Sequence, residues 1–284
     1  MSDPLADAVT RLRAAGIDNP RLDARLLWEF AKNSSPAVAG EGDREAVEGA
    51  ATGTRFEALI ARRAAREPLA YITGHKEFWS LDFAVGPGAL IPRPDTETLI
   101  EELVRRYPDR TVPLSILDLG TGSGCLLVAA LTEFPNACGV GVDASADALA
   151  WARRNVALHD LEARASLIET DWPEEANPGF DVILANPPYI PSAEIARLEP
   201  EVSRFEPLQA LDGGPDGLDA YRALAPRIAS LLGPSGTAFL EFGRGQDKDV
   251  TAIMASAGLQ IVKITPDLAG ILRCAIAIRP SRSI

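Results

Sequence analysis

The chain has 284 residues, 46% of them hydrophobic and 24% charged, which is enough apolar material for one large or two modest folded domains. Forty acidic residues against 28 basic ones give a formal net charge of −12, which weighs against a general DNA or RNA binder and suits a basic protein partner. Three scattered cysteines with no Cys-x-x-Cys pair and only two histidines argue against a disulfide framework or a metal centre, and the absence of a signal-peptide pattern or membrane-length apolar run leads us to expect a cytoplasmic protein.

Residues 4 to 70 are predicted to be helical. Leu5, Val9 and Leu12 keep helical spacing, and Leu22, Leu26, Leu27, Phe30 and Ala31 form a second apolar face. A Ser/Gly/Pro-rich loop over 34–43 precedes a third helical segment over 44–65, whose Arg62 and Arg63, with Arg66 beyond, look like a solvated helix face. From Lys76 to Arg93 the pattern changes to Phe78, Trp79, Leu81, Phe83, Val85, Leu90 and Ile91 around Gly86-Pro87-Gly88, which predicts a β-hairpin between two domains. Beyond it strands and helices alternate, with strands over 115–119, 137–142, 165–169, 180–185, 237–242, 260–265 and 272–278. Helices are predicted over 125–134, 146–158, 218–232 and 247–257, and 190–217 is irregular. Seven strands in this alternation predict an α/β fold, a doubly wound, mainly parallel sheet.

Two loops in this sheet carry chemistry. Asp118, Leu119, Gly120, Thr121, Gly122, Ser123 and Gly124 follow the first strand with spacing G-x-G-x-G. The dinucleotide fingerprint would require a third glycine at 125, where Cys125 stands, so a nicotinamide or flavin oxidoreductase is disfavoured. Alternating glycines can instead admit a ligand lying across the loop, such as the tail of S-adenosylmethionine. Asp143 follows the next strand at the distance where a carboxylate reaches ribose hydroxyls; the alternative is an N-cap, a job for which Ser145 competes. Trp172, after Asp171, either flanks an adenine ring or belongs to the core.

The second loop is Asn186, Pro187, Pro188 and Tyr189, directly after an apolar strand. One reading is an ordinary turn. The other is a claw for a planar NH2 group: the Asn186 side-chain carbonyl and the Pro187 peptide carbonyl grip both hydrogens while Tyr189 stacks on the plane. Such a grip aims a poor amide or aromatic-amine nucleophile at an electrophile, and orientation of this kind is worth roughly 7–11 kcal/mol in well-positioned cases. Arg93, Asp95, Thr96 and Glu97 either line the mouth of such a site or start a helix capped by Asp95 or Thr96. Arg204 and Glu206 are candidates to order the loop after the tetrad, and Glu241 is at a strand end with its role open.

The glycine loop, Asp143, Asp171-Trp172 and the tetrad, in that order, resemble class I S-adenosylmethionine-dependent methyltransferases with a Rossmann-like sheet that act on exocyclic amines and amides. Three further blocks, 67–74 (EPLAYITG), 77–81 (EFWSL) and 91–97 (IPRPDTE), together with 204–207 and 267–270, make the chain similar to the HemK/PrmC family of peptide chain release factor glutamine methyltransferases. The resemblance implies methylation of the glutamine in the release factor's Gly-Gly-Gln motif. It implies cofactor contacts from Gly120, Thr121, Gly122, Ser123, Gly124, Asp143, Trp172 and Asn186. It further implies substrate contacts from Asn186, Pro187, Pro188 and Tyr189, with Asn186, Pro187 and Tyr189 catalytic. The expected organisation is a helical substrate-recognition domain (1–75), a hairpin linker (76–93) and a methyltransferase domain (94–284), working as a monomer without stable nucleic-acid or membrane binding. The rivals are a methyltransferase acting on the exocyclic amine of adenine in DNA or RNA, and a noncatalytic S-adenosylmethionine-binding protein, which would not need the tetrad.

Overall fold

A computed structural model describes residues 3–33, 44–170 and 179–280, with backbone alone over 44–50. The chain divides into two compact units: residues 1–74 with 199–205, and residues 75–198 with 206–284.

The first unit contains α1 (Pro4–Ala14), α2 (Pro20–Asn33), α3 (Arg44–Ala64) and the short α4 (Leu69–Thr73). Asp3 caps α1 by accepting from the Leu5 N–H, and Pro4 sits in the first turn, where its missing N–H costs nothing. Ala8 and Leu12 of α1 meet Ala24, Leu27 and Ala31 of α2 and Phe56, Leu59 and Ile60 of α3 in one apolar core. The buried face of α2 is therefore narrower than its sequence suggests. Leu22 and Leu26 are exposed, and Asp23 lies on the buried face instead.

Asp23 is tolerated there because Arg63 reaches it at 2.7 Å and also holds Glu201 at 2.8 Å. Arg66 pairs with Glu199 and Glu201. These arginines are not a solvated face, since Arg63 is buried and Arg66 partly so, while Arg62 does remain outside with Glu67. The acids at 199 and 201 that reverse the expectation arrive from about 135 residues downstream, a distance local charge patterning cannot span.

The second unit opens with a hairpin, β1 (His75–Phe78) and β2 (Leu81–Ala84), and continues through α5 (Glu97–Arg106), β3 (Ser115–Leu119), α6 (Cys125–Glu133), β4 (Cys138–Asp143), α7 (Ala146–Leu158), β5 (Ala165–Glu169) and β6 (Phe180–Ala185). After α8 (Ser192–Ile195) and α9 (Pro200–Phe205, part of the first unit) come α10 (Asp219–Leu231), β7 (Leu232–Glu241), α11 (Asp247–Ser256), β8 (Gln260–Pro266) and β9 (Leu272–Ile278).

The hairpin turns at Trp79 and Ser80, both at positive φ, rather than at Gly86-Pro87-Gly88. Glutamates stabilise this unusual turn: the Trp79 N–H donates to Glu97, its indole N–H to Glu133, and the Ser80 N–H to Glu77. Gly86 answers a different need, because a Cβ there would come within 2.3 Å of the Trp151 ring.

The seven-stranded sheet runs β5-β4-β3-β6-β7-β9-β8, parallel except for the β7–β9 and β9–β8 pairings. Leu117, Leu119, Ile183, Ala185 and Leu240 pack one face against α10 and α11. The alternate residues Ile116, Val182, Leu184 and Phe239 are equally buried, while α5 lies against β7 and β9, α6 against β3 and β4, and α7 against β4 and β5. Burial on both faces explains why these strands are continuous apolar runs. From β3 the chain winds outward to β4 and β5, then returns to lay β6 on the other side of β3. A crevice therefore opens at the carboxyl ends of β3, β4 and β6, where such sheets bind ligands.

The Arg63 cluster predicts a measurable stability effect. Arg63→Ala strands the largely buried Asp23 and leaves Glu201 to Arg66 alone, and removing one partner of a buried pair typically costs about 3–5 kcal/mol. Urea unfolding of the full chain followed by circular dichroism should register a loss of that order, and a change within experimental error would mean the cluster is not a stabilising element.

Candidate active site

The end of β3 passes into α6 through Gly120, Gly122 and Gly124, all at positive φ, a conformation that costs glycine little. Two N–H groups, those of Gly120 and Thr121, share the Val142 carbonyl at 2.9 Å each, and Gly124 closes the turn on the Thr121 carbonyl. Beneath the turn lies Asp118, wholly buried, accepting from the Thr121 hydroxyl at 2.6 Å. Burial pushes its carboxyl up to about 7, against the opposing pull of the Thr121 hydroxyl and the Leu127 N–H.

Asp143, at the end of β4, accepts the Gly122 N–H on one oxygen (2.8 Å) and the Ser145 N–H on the other (2.9 Å). It does not cap α7; Ser145 does, through the Ala148 N–H. A carboxylate has about four acceptor positions. Two therefore remain available, and Asp143 lines the cleft.

That cleft has a volume of about 290 Å³. Gly120, Thr121, Gly122 and Ser123 line it together with Asp143, Asn186, Pro187 and Pro188. Its remaining walls are largely apolar, with Leu90, Ile91, Leu126, Val142, Ala148 and Leu224 among them. Gly124 lies behind the wall against Ala152, and Trp172 falls outside the described residues.

Asn186 leaves the end of β6 with its Nδ2 donating to the Thr96 hydroxyl at 3.1 Å. Its Oδ1 has no partner among the described residues. Tyr189 does not border the cleft; its ring packs against the core beside β6 and β7, and its hydroxyl donates to Glu241 at 3.1 Å. Burial first, then the Glu241 charge, raises the phenol well above its ordinary range.

The short turn Pro94–Thr96 precedes α5 without a side-chain cap, so neither Asp95 nor Thr96 acts as one. Asp95 pairs instead with Arg273, and Glu97 with the Trp79 N–H. Glu206 reaches Arg93 and the Ile91 N–H, fixing the stretch at the cleft mouth, whereas Arg204 belongs to the segment that joins the first unit.

Two residues with structural duties at the site were not apparent from the sequence. Asn155, fully buried on α7, donates Nδ2 to the Ser123 and Ala84 carbonyls and accepts the Ala84 N–H, tying the glycine loop to the hairpin. The signal was present, since Asn155 falls on the stripe formed by Ala148, Leu149, Ala152 and Val156, where a polar residue must have partners. Gln246 accepts the Gly243 N–H and donates to the Tyr189 carbonyl, holding the far end of the tetrad.

Comparison with known proteins supplies the family. Residues 3–74 match the family model of the PrmC N-terminal domain, and residues 94–198 that of the methyltransferase small domain. A crystal structure of ribosomal protein L11 methylase from Lactobacillus delbrueckii subsp. bulgaricus shares the fold, with a TM-score of 0.51 at 21% identity over 69% of this chain and 84% of that one. The release factor glutamine methyltransferase of Rhodospirillum rubrum is 47% identical over 95% of this chain and 82% of its own length. The Caulobacter vibrioides protein of the same name is 44% identical over 92% and 90%. Identity at that level across both units, together with a glycine loop and the Asn-Pro-Pro of the tetrad on one cleft, places the chain in the release factor glutamine methyltransferase family.

Proposed function

We propose that this protein transfers a methyl group from S-adenosylmethionine to the side-chain amide nitrogen of the glutamine in the Gly-Gly-Gln motif of peptide chain release factors. The observation that carries the reading is the orientation of Asn186. Its NH2 is committed to Thr96, so the part of the amide available to the cleft is an acceptor, which a substrate NH2 needs. The names of the curated relatives supply the substrate class.

The cleft suits the donor on its own features. A Cβ at Gly120 would meet no atom within 4 Å, so the glycine loop opens onto free space that any side chain would fill. Asp143 keeps acceptor positions for ribose hydroxyls, and the apolar walls suit an adenine ring. Gly120, Thr121, Gly122, Ser123, Gly124, Asp143 and Asn186 form this donor site in our reading, with Trp172 as a further member. When bound, S-adenosylmethionine supplies an electrophilic methyl on a sulfonium.

Asn186 Oδ1 and the Pro187 carbonyl take the two amide hydrogens of the glutamine, and the prolines at 187 and 188 keep that acceptor pair rigid. So held, the amide nitrogen would face the methyl group of a donor in the glycine-loop site, and transfer would leave the electron pair of the carbon–sulfur bond on sulfur as a thioether. The alkylated nitrogen, now far more acidic, loses its proton to a carbonyl or water, so no group titrating near neutrality is required. Tyr189 supports the tetrad from behind.

Within this reading, residues 1–75 recognise the protein substrate, 76–93 form the hairpin linker, and 94–284 carry out transfer. The protein works as a cytoplasmic monomer. A net charge of −12 favours a protein acceptor over nucleic acid. Among the described residues no helix is long and apolar enough to cross a membrane.

The deciding assay offers labelled S-adenosylmethionine with three acceptors: release factor, release factor lacking the Gly-Gly-Gln glutamine, and DNA. Label is expected on the first alone, and label on DNA alone would overturn the proposal. Asn186→Ala should abolish transfer while weakening donor binding far less. Asp143→Ala should weaken donor binding by about 1.5–3 kcal/mol, the worth of a hydrogen bond to a charged group, or roughly ten- to hundredfold in Kd by calorimetry.

A further inference from the structure

Behind Asn186 lies a buried carboxylate that the transfer step itself does not use. Glu241 ends β7, one position beyond the Ala185–Leu240 pairing with β6, and is 1% exposed. Its Oε1 accepts the Tyr189 hydroxyl, its backbone carbonyl accepts the Tyr221 hydroxyl at 2.9 Å, and Oε2 has no direct partner among the described residues. The hydroxyl of Thr96, itself 2% exposed, adjoins the same carboxylate. Hydrogen bonds thus join Asn186 to Thr96 at one end and Tyr189 to Glu241 at the other, with Thr96 beside the Glu241 carboxylate between them, and both outer residues belong to the tetrad.

We infer that Glu241 is a positioning residue for methyl transfer, fixing through Thr96 which end of the Asn186 amide faces the cleft; the inference rests on the reading of Asn186 as acceptor for the substrate NH2. The reasoning is a count of protons. An ionised carboxylate only accepts, and its buried Oε2 is unclaimed, so in this inference the single Thr96 proton turns to Glu241 and Thr96 meets Asn186 with a lone pair. Asn186 must then turn its NH2 toward Thr96 and its carbonyl toward the cleft. With a donor at 241, Thr96 is free to give its proton to Asn186. The amide is then stable with the opposite orientation, presenting two N–H groups to a substrate that also presents N–H groups.

The groups facing Glu241 come from several elements. Arg273 on β9 favours its charged form, and Asp95 in the turn before α5 opposes it. Tyr189, Tyr221, Cys125 and Cys274 feel its charge and are held neutral by burial. For Glu241, burial is the largest influence and raises its pKa above the ordinary carboxylate value, against the Thr96 and Tyr189 hydroxyls. Because the ionised form orients Asn186, turnover falls as pH drops through that raised pKa.

The test compares the wild type with Glu241→Gln, an isosteric change that introduces a donor, and with Thr96→Val, which removes the hydroxyl link. The readouts are kcat against pH with release factor as acceptor, the Kd of S-adenosylmethionine by calorimetry, and thermal melting. For both variants we expect kcat to fall roughly hundredfold, the scale of a misaligned reacting group, with donor Kd and melting temperature little changed and the acid limb of the kcat profile lost in Glu241→Gln. Near-wild-type kcat in either variant, an acid limb that persists in Glu241→Gln, or a loss of kcat that merely tracks melting and donor affinity would each overturn the inference. Full turnover by Asn186→Ala would instead refute the reading of Asn186 itself. An inactive Asn186→Ala beside a fully active Glu241→Gln would refute only the role of Glu241.

Discussion

The site depends on how the carboxyl ends of β3 and β4 hold each other. A parallel strand that ends in a crevice leaves N–H groups that must find partners before a ligand arrives. Here one carbonyl, that of Val142, accepts from both Gly120 and Thr121, and one carboxylate, Asp143, bridges Gly122 to Ser145. Three left-handed glycines would wander in isolation, yet in this setting each turn of the loop is tied to the neighbouring strand. The loop is preorganised, so a ligand need not order it on binding, and its ordering cost is met in folding.

A second layer fixes that loop from behind. Asn155 is the only side chain described that bonds both the glycine loop and the hairpin, and it engages the N–H and the carbonyl of the same residue, Ala84. The hairpin thereby acts as a brace for the site. The chain it delivers, from Gly88 to Arg93, forms one wall of the cleft, and Glu206 pins that wall through Ile91 and Arg93. A polar residue buried this deeply is tolerable because both of its N–H bonds and its carbonyl are engaged.

Legibility in the sequence followed the range of the interactions. The strands 165–169, 180–185 and 272–278 and the helix 146–158 were readable to the residue because they depend on local apolar periodicity and on a cap at Ser145. The glycine loop and the Asn-Pro-Pro stretch could be located at strand ends because each motif is contiguous in sequence. The hairpin turn was placed at the wrong residues because Gly-Pro-Gly is a strong turn signal, whereas the positive φ values of Trp79 and Ser80 depend on glutamates at 77, 97 and 133. Arg63 and Arg66 looked like surface residues for the same reason, their partners lying about 135 residues away. The part played by Tyr189 was the most misleading, since a ring next to a claw invites stacking, and its hydroxyl is engaged with Glu241 outside the cleft wall.

That last point bears on what a four-residue motif can specify. An asparagine amide is close to symmetric in shape and opposite in polarity at its two ends, so Asn-Pro-Pro-Tyr by itself defines a position and not a direction. A site that must accept two N–H bonds needs the carbonyl end inward, and nothing within the tetrad enforces this. Direction has to come from a group that cannot donate, carried to the amide through a group that does both, and Glu241 and Thr96 are of those two kinds. Both lie far from the tetrad in sequence and next to it in the fold, Glu241 at the end of β7 and Thr96 in the turn before α5. A cleft with the same tetrad but a donor in place of that carboxylate would be free to present the wrong polarity to its substrate.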